Sequence, residues 1–160
     1  MIAMKTKSLK LITEAAHEVE MVKQDNDPSK PFTMKFRGLA ACSEKVNANH
    51  RVYPYELLKR EMEKYDKEMV KTGRALAEME HSSSPEISPD RASARFLAIS
   101  EDNKNWIAEG VILCSDEKFS VKGTPCGDIL AALTNYGVKW GLSTRALGDV
   151  DEATGKVTDL

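Results

Sequence analysis

Cysteine and histidine are scarce in this 160-residue chain, and each scarcity removes a class of chemistry. The three cysteines, Cys42, Cys114 and Cys126, are odd in number and far apart. That excludes a paired disulfide framework and matches no zinc-ligand spacing, so reduced, partly buried thiols are expected. Long apolar runs are missing too. Nothing approaches the roughly 20 residues that span a bilayer. The basic N-terminal stretch is interrupted by Glu14, His17 and Glu18 before it could form a signal peptide. Charge of one sign is also lacking: 23 basic residues against 25 acidic ones leave a formal net charge of -2. A near-neutral balance gives no reason to expect nucleic acid as the main partner. What remains is a soluble, intracellular, single domain over residues 1–160, with no membrane, metal or cofactor expected.

Apolar spacing divides the chain into elements. Residues 8–22 read as one strand or two short ones, and residues 25–31 as a loop. Phe32, Met34 and Phe36 alternate with polar residues and predict a strand over 32–42. Residues 47–53 read as a polar connection. Pro54 suits the first position of a helix whose apolar face is Leu57, Leu58, Met62, Tyr65, Met69 and Val70, ending at Gly73. Residues 74–80 read as extended and 81–89 as a Ser/Pro-rich loop. Residues 96–100 and 106–114 predict a hairpin. A second helix follows Gly123-Thr124-Pro125 and ends at Gly137. Residues 140–150 read as one extended run, and 157–160 begin another strand after a turn. The sum is an α+β domain with six or seven strands and two helices.

Only His17, His50 and His81 can supply an imidazole base. His17 lies beside acidic residues and reads as a surface residue, and His50 sits in a polar turn. His81 opens a loop after an extended segment, a position suited to facing a cleft. Ser82, Ser83 and Ser84 read as loop filler, because a triad is assembled from residues distant in sequence. Ser143, within Gly141-Leu142-Ser143-Thr144-Arg145, can pack inward like any small strand residue. It can equally be a rigidly held nucleophile, with Thr144 and Arg145 nearby for substrate or oxyanion contacts. In a strand Arg145 would share the face of Ser143 and could bind a substrate carboxylate or form an ordinary salt bridge.

Five blocks, in order, carry a resemblance. They are Asn47-Ala48-Asn49-His50-Arg51-Val52-Tyr53-Pro54; Gly73-Arg74-Ala75 through Glu78 and Glu80 to His81; Pro85-Glu86-Ile87 with Arg91 and Ser93; Thr124-Pro125-x-Gly127; and Gly137-Val138-x-x-Gly141-Leu142-Ser143-Thr144-Arg145. This pattern resembles the prohead core proteases of T-even-type bacteriophages. The chain departs from the family at Ser82, where Pro is usual, at Ala77, where Gly is usual, and at Ala94, where a His often stands. These touch loop geometry more than chemistry.

The resemblance implies a herpesvirus-protease-like fold: a mixed or antiparallel β-barrel-like core with two flanking helices, related to herpesvirus assemblin and to phage tail-tube subunits. It implies a serine endopeptidase with His81 as base and Ser143 as nucleophile, working inside the phage prohead in the host cytoplasm. Such enzymes cut scaffold or core proteins and the major capsid protein after Glu in a [Leu/Ile]-x-Glu context, and they cut themselves. Ile12-Thr13-Glu14-Ala15 fits that pattern, so a cut between Glu14 and Ala15 would release residues 1–14. Ile107-Ala108-Glu109-Gly110 fits as well but lies in an expected core strand. Asp149, Asp151, Glu78 and Glu80 are the acids at hand for orienting the histidine. The resemblance puts that member on a later strand, so it is expected beyond Leu160, with the chain truncated or processed. A catalytically inactive scaffold or core protein on the same fold is the alternative, and a tail-tube-like subunit a more distant one. Self-association is compatible with either.

Overall fold

A computed structural model describes residues 9–14, 17–22, 29, 33–80, 83, 84 and 86–160. Among these residues nine strands and two α-helices alternate in a mixed order. Strands β1 (Lys10–Thr13), β8 (Arg145–Asp151) and β9 (Lys156–Asp159) form a three-stranded sheet in the order β1-β8-β9. Strands β2 (His17–Met21), β3 (Lys35–Cys42), β4 (Leu76–Glu78), β5 (Ala92–Asp102), β6 (Asn105–Ile112) and β7 (Gly141–Leu142) form a second sheet in the order β4-β5-β6-β3-β2-β7. Every pairing in both sheets is antiparallel. The expected α+β architecture, a curled antiparallel sheet with two flanking helices, is therefore present.

The expected hairpin is longer than its apolar residues suggest. Asn103 and Lys104 both take left-handed φ values, 48° and 63°, which make the tight connection between β5 and β6. Helix α1 (Tyr55–Tyr65) begins one residue later than expected, because Pro54 is its cap rather than its first residue. The Tyr55 N–H donates to the Glu44 carboxylate at 2.6 Å, so one orphan donor of the first turn is satisfied. The helix then widens into a π-helical turn over Asp66–Val70 and ends at Gly73, whose φ of +76° favours glycine.

Helix α2 (Pro125–Asn135) starts as its sequence directs. The Thr124 hydroxyl accepts from the Gly127 N–H at 2.9 Å and donates to the Ala92 carbonyl at 2.6 Å, so one side chain caps the helix and ties it to β5. Gly137 ends it with φ +79°, and the Val138 N–H reaches back to the Leu133 carbonyl.

Two apolar clusters hold the layers together. Phe36, fully buried, centres the first, with Val19, Ala108, Ile112, Leu130 and Leu142 around it. The Phe36 ring meets Phe96 and Trp140 edge-on at 6.2 and 5.1 Å. The second cluster joins the three-stranded sheet to α1 and β6 through Ile12, Tyr53, Leu58, Trp106 and Val157.

The run expected to be one extended segment over 140–150 is two strands in different sheets. β7 pairs with β2, β8 pairs with β1, and Ser143 and Thr144 lie between them outside either strand. The N-terminal stretch breaks at the same level, between β1 and β2. Both segments therefore change sheet side by side.

Close approach explains the glycine of Thr124-Pro125-x-Gly127. A Cβ at Gly127 would stand 2.0 Å from the Leu113 carbonyl oxygen, whereas one at Gly137 would meet nothing within 4 Å. Alanine in an open helix would gain about 1 kcal/mol over glycine. Here the clash should win, and Gly127→Ala should cost about 2 kcal/mol or more, against about 1 kcal/mol for Gly137→Ala from its left-handed backbone. Urea midpoints of the two variants check this, and equal shifts would remove the close-packing argument.

Candidate active site

Ser143 sits at the joint where the chain passes from one sheet to the other, half-buried, and not on a strand as expected. Its hydroxyl donates to the backbone carbonyl of Glu14. The Glu14 N–H donates to the Thr144 carbonyl at 3.0 Å. The main chain of Glu14 is thus bound on both sides by the Ser143-Thr144 joint. Upstream, Thr13 pairs with Arg145, Ile12 with Ala146 and Leu11 with Leu147.

The Glu14 side chain is 9% exposed and is met by donors from residues 47–53. Asn47 Nδ2 and Asn49 Nδ2 reach Oε2 at 2.7 and 2.8 Å, Arg51 reaches Oε1 at 3.2 Å, and the Tyr53 hydroxyl donates to Oε1. Asn49 and Arg51 also reach the Thr13 carbonyl, at 3.1 and 2.9 Å. Every second residue of this segment contributes, which is the spacing of Asn-x-Asn-x-Arg-x-Tyr. A local turn aims them: Asn47 Oδ1 accepts from the Asn49 and Arg51 N–H groups at 2.9 and 3.0 Å. Burial, then the hydrogen bond and negative charge of Glu14, push the Tyr53 phenol far above its ordinary range, so it stays a donor. By sequence this segment reads as a polar connection. The alternation of donor side chains was the signal available.

Arg145 has a partner. Its side chain is 5% exposed and meets Glu78, 3% exposed, at 2.9 Å, with the Glu86 carbonyl at 3.4 Å. Arg91 and the Ser88 N–H complete the shell of Glu78 at 3.2 and 2.7 Å. Of the two roles foreseen for Arg145, the structure shows the salt bridge, and parity with Ser143 is lost because Ser143 is off the strand. The pair joins β4, which leads toward His81, to β8, which follows Ser143. Burial raises the Glu78 carboxyl, but the Ser88 N–H and the two guanidinium groups outweigh it and hold the group below the usual carboxylate range.

His81 itself lies outside the described residues, as do Ser82, Pro85 and Ala15. His50 is exposed, with a left-handed φ of 59°, and His17 is half-buried on β2 opposite Leu142. Of the other acids at hand, Asp151 is exposed and closes its turn by accepting from Ala153 at 3.0 Å. Asp149 stands opposite Asp159 in the β8–β9 ladder, and Glu80 is exposed. Ile107–Gly110 lies in β6, paired with β3 on one side and β5 on the other. Cys42, Cys114 and Cys126 are free and half-buried, and burial raises the thiols of Cys42 and Cys114. Among the described residues no His, Cys, Asp and Glu cluster could hold a metal ion, and no helix is long and apolar enough to cross a membrane.

The fold matches a solved protease. The structure of the capsid assembly protease of bacteriophage T4 aligns with a TM-score of 0.79 over 96% of this chain and 92% of that one, at 23% identity. No curated protein sequence matches the chain. A family model described as prohead core protein serine protease matches residues 8–159. The chain belongs to that family of bacteriophage serine proteases.

A buried pair that loses one partner leaves an uncompensated charge, at a cost of about 3–5 kcal/mol. Arg145→Met should therefore destabilise the domain by about 3 kcal/mol at neutral pH. The depressed carboxyl of Glu78 gives its stabilisation above the unfolded glutamate value, and that contribution is lost as pH falls through the folded value. The gap between wild type and Arg145→Met should accordingly narrow from pH 7 to below about pH 4. Denaturant titrations at the two pH values check this, and a constant gap would dissociate Glu78 from the effect.

Proposed function

We propose that this chain is a prohead maturation endopeptidase that cleaves phage scaffold or core proteins and the major capsid protein after glutamate. Ser143 is the nucleophile and His81 the base. The setting is the interior of the prohead, in the host cytoplasm. The observation that carries the reading is the contact of the Ser143 hydroxyl with the Glu14 carbonyl. Glu14 closes an Ile12-Thr13-Glu14 stretch, the form of the expected cleavage context, and its main chain is held as a bound peptide would be.

The chemistry follows from these groups. Ser143 Oγ bonds to the scissile carbonyl carbon while His81 takes the hydroxyl proton. Collapse of the tetrahedral intermediate breaks the C–N bond, and His81 returns the proton to the leaving amine. Water then repeats the attack on the ester with His81 again as base, releasing the carboxylate product and free serine. In cis, the same steps cut between Glu14 and Ala15 and leave a chain beginning Ala15-Ala16-His17.

A segment near a terminus generally opens at little cost, which by itself would favour a cut after Glu14. Instead Ile12 is 3% exposed and Glu14 is clamped, so the segment's fit to Ser143, rather than its looseness, supports the cis cut.

Ser143→Ala and His81→Ala should each lower cleavage of a scaffold substrate by about 10⁴-fold or more while the fold persists. Intact-mass analysis of the incubated protease should show the product beginning at Ala15 for wild type and not for Ser143→Ala. A product beginning at Gly110 would contradict the reading. So would normal cutting by both variants, or an active enzyme with an intact N-terminus.

A further inference from the structure

Glu14 presents two features to the domain at once: its carbonyl to Ser143 and its carboxylate to the 47–53 segment. The residue two before it, Ile12, is on the same face of the strand and enters an apolar pocket of Tyr53, Leu58, Trp106 and Val157. Tyr53 belongs to both pockets, its ring lying against Ile12's cluster and its hydroxyl on the carboxylate. The intervening Thr13 contributes its carbonyl to Asn49 and Arg51. An extended peptide is thus added to β8 as a strand, with alternate side chains taken by separate pockets.

We infer that Asn47, Asn49, Arg51 and Tyr53 form the pocket that reads the glutamate side chain at the cut site of substrates, with Glu14 filling it in cis. The inference rests on Ser143 being the nucleophile and on cleavage after glutamate. It adds which residues impose that preference, and it assigns the carboxylate recognition first considered for Arg145 to Arg51 and its neighbours. The donor set explains the selectivity. Both carboxylate oxygens face hydrogen-bond donors, one of them a guanidinium. A glutamine would have to turn its NH₂ either toward Asn47 Nδ2, whose amide is held in that orientation by the N–H groups on its Oδ1, or toward the Arg51 guanidinium, which has no acceptor, so on either side a donor would meet a donor. An aspartate, one methylene shorter, could not reach the same donors while its main chain stayed on Thr144 and Ser143. A substrate in trans takes the place of β1 beside β8, with its own apolar residue in the pocket of Ile12.

The opposing possibility is that these donors serve only to anchor Glu14 in the fold. Peptides that differ only in Glu or Gln at the cut position separate the two. Wild type, Arg51→Gln and Tyr53→Phe would be compared by kcat/KM on both peptides and by fluorophosphonate labelling of Ser143. The expected result is labelling in all three proteins and a Glu-over-Gln ratio lowered by about tenfold or more in the variants. Tyr53→Phe keeps the ring in its apolar cluster and removes only the hydroxyl, so it decides the matter where Arg51→Gln does not fold. A wild type that cuts after Glu, with folded variants that keep the full ratio, would overturn the pocket and leave the protease reading intact. A wild type that is neither labelled nor able to cut either peptide would overturn the protease reading, and the pocket with it.

Discussion

A glutamate carboxylate taken out of water costs several kcal/mol unless its lone pairs are met, and Glu14 meets that condition with donors drawn from one short segment. The rest of the domain is arranged around that requirement. The donor segment must stay where its turn puts it. The Val52 N–H therefore donates to the Gly155 carbonyl, and the Val157 N–H donates to the Val52 carbonyl, both at 2.9 Å. Tyr53 sends its carbonyl to the Glu44 N–H, and Glu44 in turn caps α1. One carboxylate thereby connects β1, the 47–53 turn, β9 and the start of α1, and its own main chain connects all of these to Ser143.

The second constraint is that the two segments that bear the proposed chemistry arrive from far apart in sequence. β4 reaches the edge of the six-stranded sheet, while Ser143 follows β7 at its other edge. A flat sheet would keep those edges apart. The Glu78–Arg145 pair spans them, and both side chains are almost wholly buried there. The curl of the sheet, the break after β7 and the ion pair are therefore parts of one geometric solution. The break lets β8 leave the first sheet, and Arg145, its first residue, meets the last residue of β4.

Local signals were legible where a local force decides. Thr124-Pro125 and Gly137 bound α2, and the polar residues of 101–105 mark the hairpin, because capping and turn geometry act within a few residues. The family resemblance singles out Ser143 as the proposed nucleophile, and its apolar neighbours suggest a strand. That same apolar pattern runs straight through the change of sheet, since Leu142 and Ala146 pack inward or partly inward on either side of it. Periodicity reports burial, and burial does not say against which sheet. Arg145 failed differently: its position two after Ser143 implied a shared face only if both were in one strand. The role of residues 47–53 was hidden because their common partner, Glu14, is more than thirty residues away.

The N-terminal strand is consequently both a part of the core and a peptide laid on Ser143, the proposed nucleophile, and these two demands bear on each other. Burying an isoleucine as fully as Ile12 stabilises by about 2–3 kcal/mol. Taking the strand away would leave an apolar hollow beside Val157, an unpaired edge on β8, and the asparagine, arginine and tyrosine donors without their acceptor. Each of those losses is relieved by any extended chain that supplies an apolar side chain, a backbone edge and, two residues on, a carboxylate. The same interactions that make the strand costly to remove therefore define what can replace it, and under the proposed function they tie substrate preference to the stability of the fold.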